Sequence, residues 1–280
     1  MVLVYGDGLL VMDWNRPTQV QEFKMTVLKN LISDIEATFD NEVYPSEADI
    51  EMFIQDVHEV IRKSFIRDPK NGLRFSNIGK PDRMLWYTLN MPEKAEPLHA
   101  STRIKFMYGD LLEALLVLLI KTAGYKVTDQ QQRIEVDGVV GHTDGRINGR
   151  LVDYKSASPH SFEKFRSGKV FNEDHFGYVA QISGYAHDRD EDASWVVINK
   201  VDGKITVCDI DSLEMINFED RIKHVRKVLA NDKPPGRCYE DKPDGQQGNR
   251  VLAIGCAYCD FKAECWKDAN NGKGLRKFKY

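Results

Sequence analysis

Hydrophobic residues along this chain recur with a helical period in some segments and alternate with polar residues in others. A helix is predicted wherever apolar positions return every three or four residues. The predicted helices cover 18–39, 46–65, 101–123, 174–189 and 213–230. Ser46 is a residue type that favours the position before a helix, and Gly124 one that favours the position after it. Segment 66–100 contains Pro, Gly and Asp turn signals and is predicted to be mostly loop.

The middle of the chain changes to an alternating pattern, which is typical of strands. The predicted strands cover 126–136, 139–147, 150–156 and the two arms of 194–210. Asn148-Gly149 lies between the second and third strands and is a strong signal for a two-residue hairpin turn. This order of elements predicts an α/β or α+β protein, in which a mixed sheet is flanked by helices.

The Asn-Gly turn fixes a register that places two acidic residues opposite each other. Counting outward from the turn puts Asp144 opposite Asp153, with Lys155 on the same face and His142 opposite Lys155. Facing carboxylates destabilise a strand pair. A solvated salt-bridge cluster is one interpretation. The apolar neighbours indicate an interior strand instead, where carboxylates need a partner, and hard oxygen ligands favour Mg²⁺ or Mn²⁺.

The helix at 101–123 offers a third acid. Glu113 is surrounded by leucines in this sequence, and Asp110 is the competing candidate on the same helix. A cation held by carboxylates polarises a phosphoryl oxygen and activates water. A lysine beside it positions the attacking water or stabilises the transition state. Lys155 and these acids therefore predict a phosphodiester hydrolase.

Two motifs resemble those of the PD-(D/E)xK nuclease superfamily. Asp144 followed by Asp153-x-Lys155 resembles its metal-and-lysine motif, with Asp in place of the commoner Glu. "GDLLE", which ends at Glu113, resembles the first motif of RecB-type nucleases in this superfamily. The resemblance implies a restriction-endonuclease-like core. It also implies that the three acids bind the metal and that Lys155 takes part in catalysis.

A third motif extends the resemblance to the substrate. Gln181 and Tyr185 in "QISGY" lie one helical turn apart and resemble the Q-x-x-x-Y motif of RecB-type nucleases, which implies contact with DNA. The alternative is an ordinary amphipathic helix. Basic residues after the active strand offer phosphate contacts or form a solvated loop. They are Lys164, Arg166 and Lys169.

Four of the five cysteines lie in a Gly- and Pro-rich tail that has little capacity for a core of its own. They are Cys238, Cys256, Cys259 and Cys265. Cys208 lies within a predicted strand and is expected to be a packed core thiol. Cytosolic cysteines at this spacing predict a metal site rather than disulfides, and four thiolates suit zinc or an iron–sulfur cluster.

The tail motif "CAYCDFKAEC" resembles the C-terminal motif of iron–sulfur RecB-type nucleases, which implies a [4Fe–4S] cluster in preference to zinc. In those nucleases the fourth cysteine lies upstream of the core. The corresponding segment here, 75–87, contains no cysteine, which leaves Cys238 as the fourth ligand.

The resemblance covers about residues 75–270 and divides the chain into three regions. They are a helical region at 1–74, a nuclease core at 75–232 and a cysteine tail packed on the core at 233–280. The first 60 residues hold 12 acidic and 3 basic residues, so any polyanion-binding surface is expected in the remainder.

The activity implied is a Mg²⁺- or Mn²⁺-dependent DNA exonuclease that binds an end of single- or double-stranded DNA in phage or bacterial recombination, repair or degradation. The alternatives are a structure-specific endonuclease and a non-catalytic iron–sulfur or zinc DNA-binding assembly factor. Further expected partners are a second copy of the chain or a recombination protein. The first 14 residues lack a signal-peptide pattern and no apolar run is long enough to span a membrane, so we expect no membrane partner and a cytoplasmic location, that of the host if the chain is phage-encoded.

Overall fold

The computed structural model describes residues 28–66, 72–187, 189, 191–246 and 249–269. Its helices are α1 Leu31–Asp40, α2 Glu47–Phe65, α3 Phe75–Ile78, α4 Asp82–Asn90, α5 Ala100–Thr122, α6 Pro159–Arg166, α7 Tyr178–Ala186, α8 Phe218–Leu229, α9 Ile254–Ala257 and α10 Lys262–Cys265. Its strands are β1 Val127–Thr128, β2 Arg133–Val136, β3 Val139–His142, β4 Gly145–Ile147, β5 Arg150–Ala157, β6 Ala193–Asn199, β7 Ile205–Ile210, β8 Lys242–Asp244 and β9 Asn249–Val251. Single 3₁₀ turns occur at Pro92–Lys94, Lys169–Phe171 and Ser212–Glu214. None of the helices described is long and apolar enough to cross a bilayer.

Five strands form one mixed sheet in the order β1-β4-β5-β6-β7. β5 and β6 are parallel, and the other neighbours in this sheet are antiparallel. β2 pairs with β3, and β8 with β9, in two separate hairpins. The connection between β5 and β6 carries α6 and α7, as the pairing of parallel strands requires a crossover. The predicted α/β (α+β) class with a mixed central sheet flanked by helices is confirmed.

Helices cover both faces of the sheet. On one face, Leu31 of α1 and Leu116 of α5 pack in a buried cluster with Val152 of β5. On the other face, α6, α7 and α8 contribute to a second cluster that contains the fully buried Trp195 and Ile222. Alternate residues of β5 and β6 belong to alternate clusters, because successive side chains of a strand point to opposite faces. The sheet is therefore interior, and charged residues on β5 lie within the protein.

The Asn-Gly turn has the predicted conformation. Asn148 and Gly149 both have positive φ values, 49° and 88°, as a tight hairpin turn between twisted strands requires. The observed pairs are Ile147 with Arg150, Arg146 with Leu151, and Gly145 with Val152. These three confirm the predicted register. The fourth predicted pair, Asp144 with Asp153, lies beyond the end of the ladder.

Several predicted boundaries differ from those of the structure. Region 126–136 was predicted as one strand, but Asp129 and Gln131 have φ values of 55° each, and the backbone turns there. β1 consequently joins the central sheet while β2 pairs with β3. Segment 66–100 contains α3 and α4 and is not mainly loop within its described part. The predicted helix at 18–39 is observed from Leu31, and its part before residue 28 lies outside the described residues.

Side-chain contacts begin α2 and attach the C-terminal part of the described chain to α4. Ser46 accepts a hydrogen bond from the Asp49 amide and begins α2, as predicted. In the tail, the Phe261 ring stacks on Tyr87 of α4 at a centroid distance of 5.5 Å. The Trp86 indole donates a hydrogen bond to the Asn231 carbonyl at 2.8 Å.

Candidate active site and cysteine pocket

Asp153 and Lys155 form an ion pair on the central strand β5. Asp153 is fully buried, and its Oδ2 lies 2.6 Å from the Lys155 Nζ. The Asp144 carboxyl also lies within hydrogen-bond distance of Asp153, and the described residues supply no further donor to the two Asp153 oxygens. Burial lowers the pKa of Lys155, but the nearby carboxylates raise it by more, so that it ends above its ordinary value. The site therefore contains a protonated lysine against a buried carboxylate.

The edge of β5 is open where β4 ends. The last pair between these strands is Gly145 with Val152, and Gly145 has a φ of 151° that turns the preceding residue out of the ladder. Asp144 reaches across this edge, and its Oδ2 accepts a hydrogen bond from the Tyr154 amide at 2.9 Å. Burial and then the negative charge of Asp153 raise the pKa of Asp144 well above its ordinary value.

Glu113 of α5 occupies the next position along the same open edge. Its Oε1 accepts hydrogen bonds from the Ser156 amide at 2.9 Å and from the Ser156 hydroxyl at 3.0 Å. Burial raises the pKa of Glu113, and the positive charge of Lys155 opposes that rise. The amides that a further strand would have bonded are thus capped by two carboxylates. The competing acid, Asp110, is exposed and only adds to the negative charge near Glu113.

Gly109 permits the close approach of α5 to β5. A Cβ at this position would lie 2.7 Å from both the Ser156 Oγ and the Lys200 Nζ. Both contacts are shorter than a real Cβ makes, so an alanine here would have to displace the Ser156 hydroxyl and the Lys200 ammonium, and glycine leaves both in place beside Glu113. The spacing from Gly109 to Glu113 in "GDLLE" thus has a packing reason.

Three residues of α7 line the other side of the ion pair. Gln181 Nε2 donates a hydrogen bond to the Tyr185 Oη at 2.9 Å. Burial and the charges of the two aspartates raise the pKa of Tyr185, which places its hydroxyl near them. The Lys155 ammonium lies 5.5 Å from the centre of the Tyr178 ring, a cation–π contact. Tyr178 was missed in the sequence, although its spacing of three residues before Gln181 puts both on one helical face.

Other sequence-predicted residues lie elsewhere. His142 ends β3, pairs with Arg133 and is exposed, so the prediction that it faces Lys155 is wrong. The cause is the separation of β3 from β4 into different sheets.

Lys164 forms an ion pair with Glu173 at 2.8 Å, and Arg166 one with Glu163 at 2.6 Å.

The chemistry of the acid cluster fits a hard divalent cation. Three carboxylates lie near one ammonium, which leaves an excess of negative charge, and the fully buried Asp153 contacts both the Lys155 ammonium and the Asp144 carboxyl. Oxygen-only ligands favour Mg²⁺ or Mn²⁺. Within the described ranges, no three His, Cys, Asp or Glu side chains are grouped closely enough to form a metal site. The cation that contacts Asp153 in this structure is the Lys155 ammonium.

Four cysteines line one pocket between α4 and the tail. They are Cys238, Cys256, Cys259 and Cys265. Phe261, Trp266 and Tyr87 line the same pocket. All four thiols are free, and so is Cys208, which is buried in β7 as predicted for a core thiol. The tertiary structure therefore brings together cysteines that are up to 27 positions apart in the chain.

Arg83 joins α4 to this pocket. Its Nε donates to the Cys265 Sγ at 3.1 Å, and a second guanidinium nitrogen donates to the Pro235 carbonyl. The backbone amides of Arg83 and Met84 hydrogen-bond Cys238. Segment 75–87, which resembles the upstream segment of those nucleases but contains no cysteine, thus contributes donors to sulfur. Arg83 was not singled out in the sequence, where nothing distinguishes it from other arginines.

Neighbouring cysteines contribute to the raised pKa values of Cys256 and Cys259. Burial, together with the neighbouring Cys265 and Cys238, raises the pKa of Cys256 to about 11. Burial likewise raises the pKa of Cys259 to about 11, with the same contribution from its neighbours. A metal would bind these groups as thiolates, and its positive charge would balance the four negative charges that then form. The donor set fits a metal with a preference for sulfur, and both zinc and an iron–sulfur cluster have that preference.

Comparison with known proteins gives little further information. No family model matches the sequence, and no curated protein matches it. Among solved structures, a chain described as the crystal structure of SSO0001 is similar over 77% of this chain and 95% of its own, at 16% identity and a TM-score of 0.42.

Proposed function

We propose that this protein is a metal-dependent deoxyribonuclease that hydrolyses phosphodiester bonds, with exonuclease activity. The observation that supports it best is the convergence of Glu113, Asp144 and Asp153 around Lys155 at the open edge of β5. These residues come from three separate segments of the chain, and a structural role does not require one fully buried acid and two partly buried acids beside one lysine. Burying charges without full compensation is costly, and such clusters are found at functional sites.

In this proposal the three acids hold Mg²⁺ or Mn²⁺. When bound, the cation supplies Lewis acidity toward a phosphoryl oxygen and lowers the pKa of water. Lys155 stays protonated because of the surrounding carboxylates, so it contributes a fixed positive charge to the negative charge that develops on the phosphoryl group. Tyr178 and Asp153 hold its ammonium from two sides.

Gln181 and Tyr185 are proposed to orient the DNA strand. Their mutual hydrogen bond fixes both side chains, and Tyr185 is only 6% exposed. The Gln181 amide oxygen accepts hydrogen bonds, and its nitrogen is committed to Tyr185. We therefore assign them to positioning and assign no proton transfer to either.

We further propose that the four tail cysteines bind a [4Fe–4S] cluster, with Zn²⁺ as the alternative. Their common pocket supports a metal there. The preference for iron–sulfur rests on the resemblance of "CAYCDFKAEC". The metal would fix the tail against α4, which Arg83 also contacts through Cys265.

The direct test incubates the purified protein with end-labelled linear DNA and with covalently closed circular DNA, with Mn²⁺, with Mg²⁺ and with EDTA. Metal-dependent loss of label from linear DNA is expected, with the circle left intact. Cleavage of the circle would replace the exonuclease by an endonuclease. Inactivity on both would favour a DNA-binding assembly factor.

Gly109→Ala provides a test of the α5–β5 contact. The added Cβ displaces the Ser156 hydroxyl and with it Glu113, and a misplacement of this kind lowers the cleavage rate roughly 10- to 100-fold. Steady-state cleavage of linear DNA measures the effect, and circular dichroism checks the fold. Ser101→Ala, at an exposed position on the same helix, is the matched control and should be as active as wild type. Full activity of Gly109→Ala would contradict the assigned packing.

A further inference from the structure

Lys200 lies beside the acid cluster, although neither the motifs nor the proposed mechanism include it. It follows β6 directly, and its backbone amide donates a hydrogen bond to the Ala157 carbonyl at the end of β5. The distance is 2.8 Å, so the turn after β6 is fixed next to the last residue of the active strand.

The Lys200 ammonium points toward the contact between α5 and β5. Its Nζ and the Ser156 Oγ both lie 2.7 Å from the Cβ position of Gly109, and Ser156 in turn bonds Glu113. Only Ser156 therefore separates Lys200 from Glu113, a proposed metal ligand. Burial lowers the pKa of Lys200, and the negative charges of Glu113 and Asp110 oppose this.

The Lys200 ammonium differs from those of Lys155 and Lys204, which form ion pairs with carboxylates. Its ammonium donates one long hydrogen bond, 3.4 Å, to the Lys105 carbonyl, and over the described residues it forms no ion pair. Lys155 has a carboxylate at 2.6 Å, and Lys204 of the same turn has one at 3.1 Å. A half-buried cation beside the active edge, with no ion pair to a carboxylate within the described part of the chain, is suited to an anion from outside.

The surroundings keep this lysine in place. Tyr108 Oη donates a hydrogen bond to the Lys200 carbonyl at 3.2 Å, and its ring is 46% exposed. Lys105, one turn earlier on α5, is exposed and adds a second positive charge nearby. One surface beside Glu113 is thus formed by Lys200, Lys105 and the exposed Tyr108 ring.

We propose that Lys200 binds a backbone phosphate of the DNA strand next to the scissile one, on the Glu113 side of the acid cluster. This inference rests on the proposed nuclease function and adds to it a substrate-binding residue. The phosphate contact is independent of base sequence, since it involves only the backbone. Lys200 is a binding residue in this scheme, and Tyr108 positions it.

Lys200→Ala and Lys200→Arg test this role against Lys204→Ala, the matched control from the same turn. Binding of a fluorescent single-stranded oligonucleotide is measured by anisotropy at several salt concentrations, with Ca²⁺ in place of Mg²⁺. Lys200→Ala should weaken binding roughly five- to tenfold. It should also reduce the slope of log K against log salt by about 0.7, as expected for one lost phosphate contact. In cleavage assays KM should rise while kcat changes little. Lys200→Arg should retain most of the affinity.

The outcomes separate this inference from the proposed function. Wild-type affinity and salt slope in Lys200→Ala would overturn the inference, whether or not the protein cuts DNA. An equal loss in Lys204→Ala would overturn it too, because general surface charge would then explain the effect. If the wild-type protein binds DNA but does not cut it, a selective loss of DNA affinity in Lys200→Ala would support the phosphate contact. The absence of cleavage would then reject the nuclease function. A wild-type protein that neither binds nor cuts DNA would overturn both.

Discussion

Replacing Lys155 by alanine is expected to lower the rate of DNA cleavage roughly 100- to 1,000-fold. The ammonium supplies preorganised positive charge in a buried site, and removing one such group has an effect of this size in other enzymes. Cleavage of end-labelled linear DNA under single-turnover conditions measures it. Lys121→Ala is the matched control, since the Lys121 side chain is 12% exposed and paired with Asp49, against 16% for Lys155. Full activity of Lys155→Ala would remove this residue from the site.

The same variant reports on metal binding without any activity measurement. Loss of Lys155 leaves the three carboxylates with no adjacent cation, and a divalent ion then relieves their repulsion. We therefore expect Mn²⁺ to raise the thermal unfolding midpoint of Lys155→Ala by more than that of wild type. Asp153→Asn, which removes a proposed ligand, should show a smaller Mn²⁺ effect than Lys155→Ala. Equal shifts in all three proteins would contradict a metal at these acids.

Replacing Cys259 by serine is expected to abolish metal binding in the tail. A hydroxyl is a poor substitute for a thiolate, and structural metal sites contribute strongly to the folding of the segment they close. Protein purified without oxygen should be brown, with a broad absorption band that Cys259→Ser lacks. A colourless protein that contains stoichiometric zinc would replace the iron–sulfur cluster by a zinc site.

Limited proteolysis provides the second measurement for this variant. The tail contacts α4 through the Tyr87–Phe261 stack and the Arg83–Cys265 hydrogen bond, and both depend on the ordered pocket. Cleavage within 233–269 should therefore become much faster in Cys259→Ser. Cys208→Ala, which changes a thiol outside the pocket, should keep both the metal and the protease resistance. Wild-type protein free of any metal would contradict the site.

The local features of the candidate site could be predicted because they depend on neighbouring residues. An Asn-Gly pair adopts positive φ values with little strain, so the turn and its register followed directly. The alternation along β5 placed Asp153 and Lys155 on one face. The division of 126–136 between two sheets could not be predicted in this way, since each half alternates like a strand. The wrong position of His142 has a similar origin, since 139–147 divides between β3 and β4, which belong to different sheets.

Contacts between distant segments depended on packing. The open edge of β5 exists because β4 ends at Gly145, and this lets Asp144 and Glu113 bond the amides that a strand would otherwise pair. Arg83 contacts Cys265 across 182 residues, and Lys200, in the turn after β6, lies beside Gly109 of α5. No periodicity encodes such pairs, because they arise only when helices settle on particular strands.

By itself the sequence determined the hairpin register, the alternation of Asp153 and Lys155, the long helices α2 and α5 and the set of tail cysteines, because each depends on residues that are close in the chain. Only the tertiary structure decided which acid of α5 faces the site, that Arg83 supports the cysteines and that Lys200 lies beside Glu113. These depend on how closely α5 and α4 pack against the rest, and that distance is set by side-chain volume and by the glycine at 109.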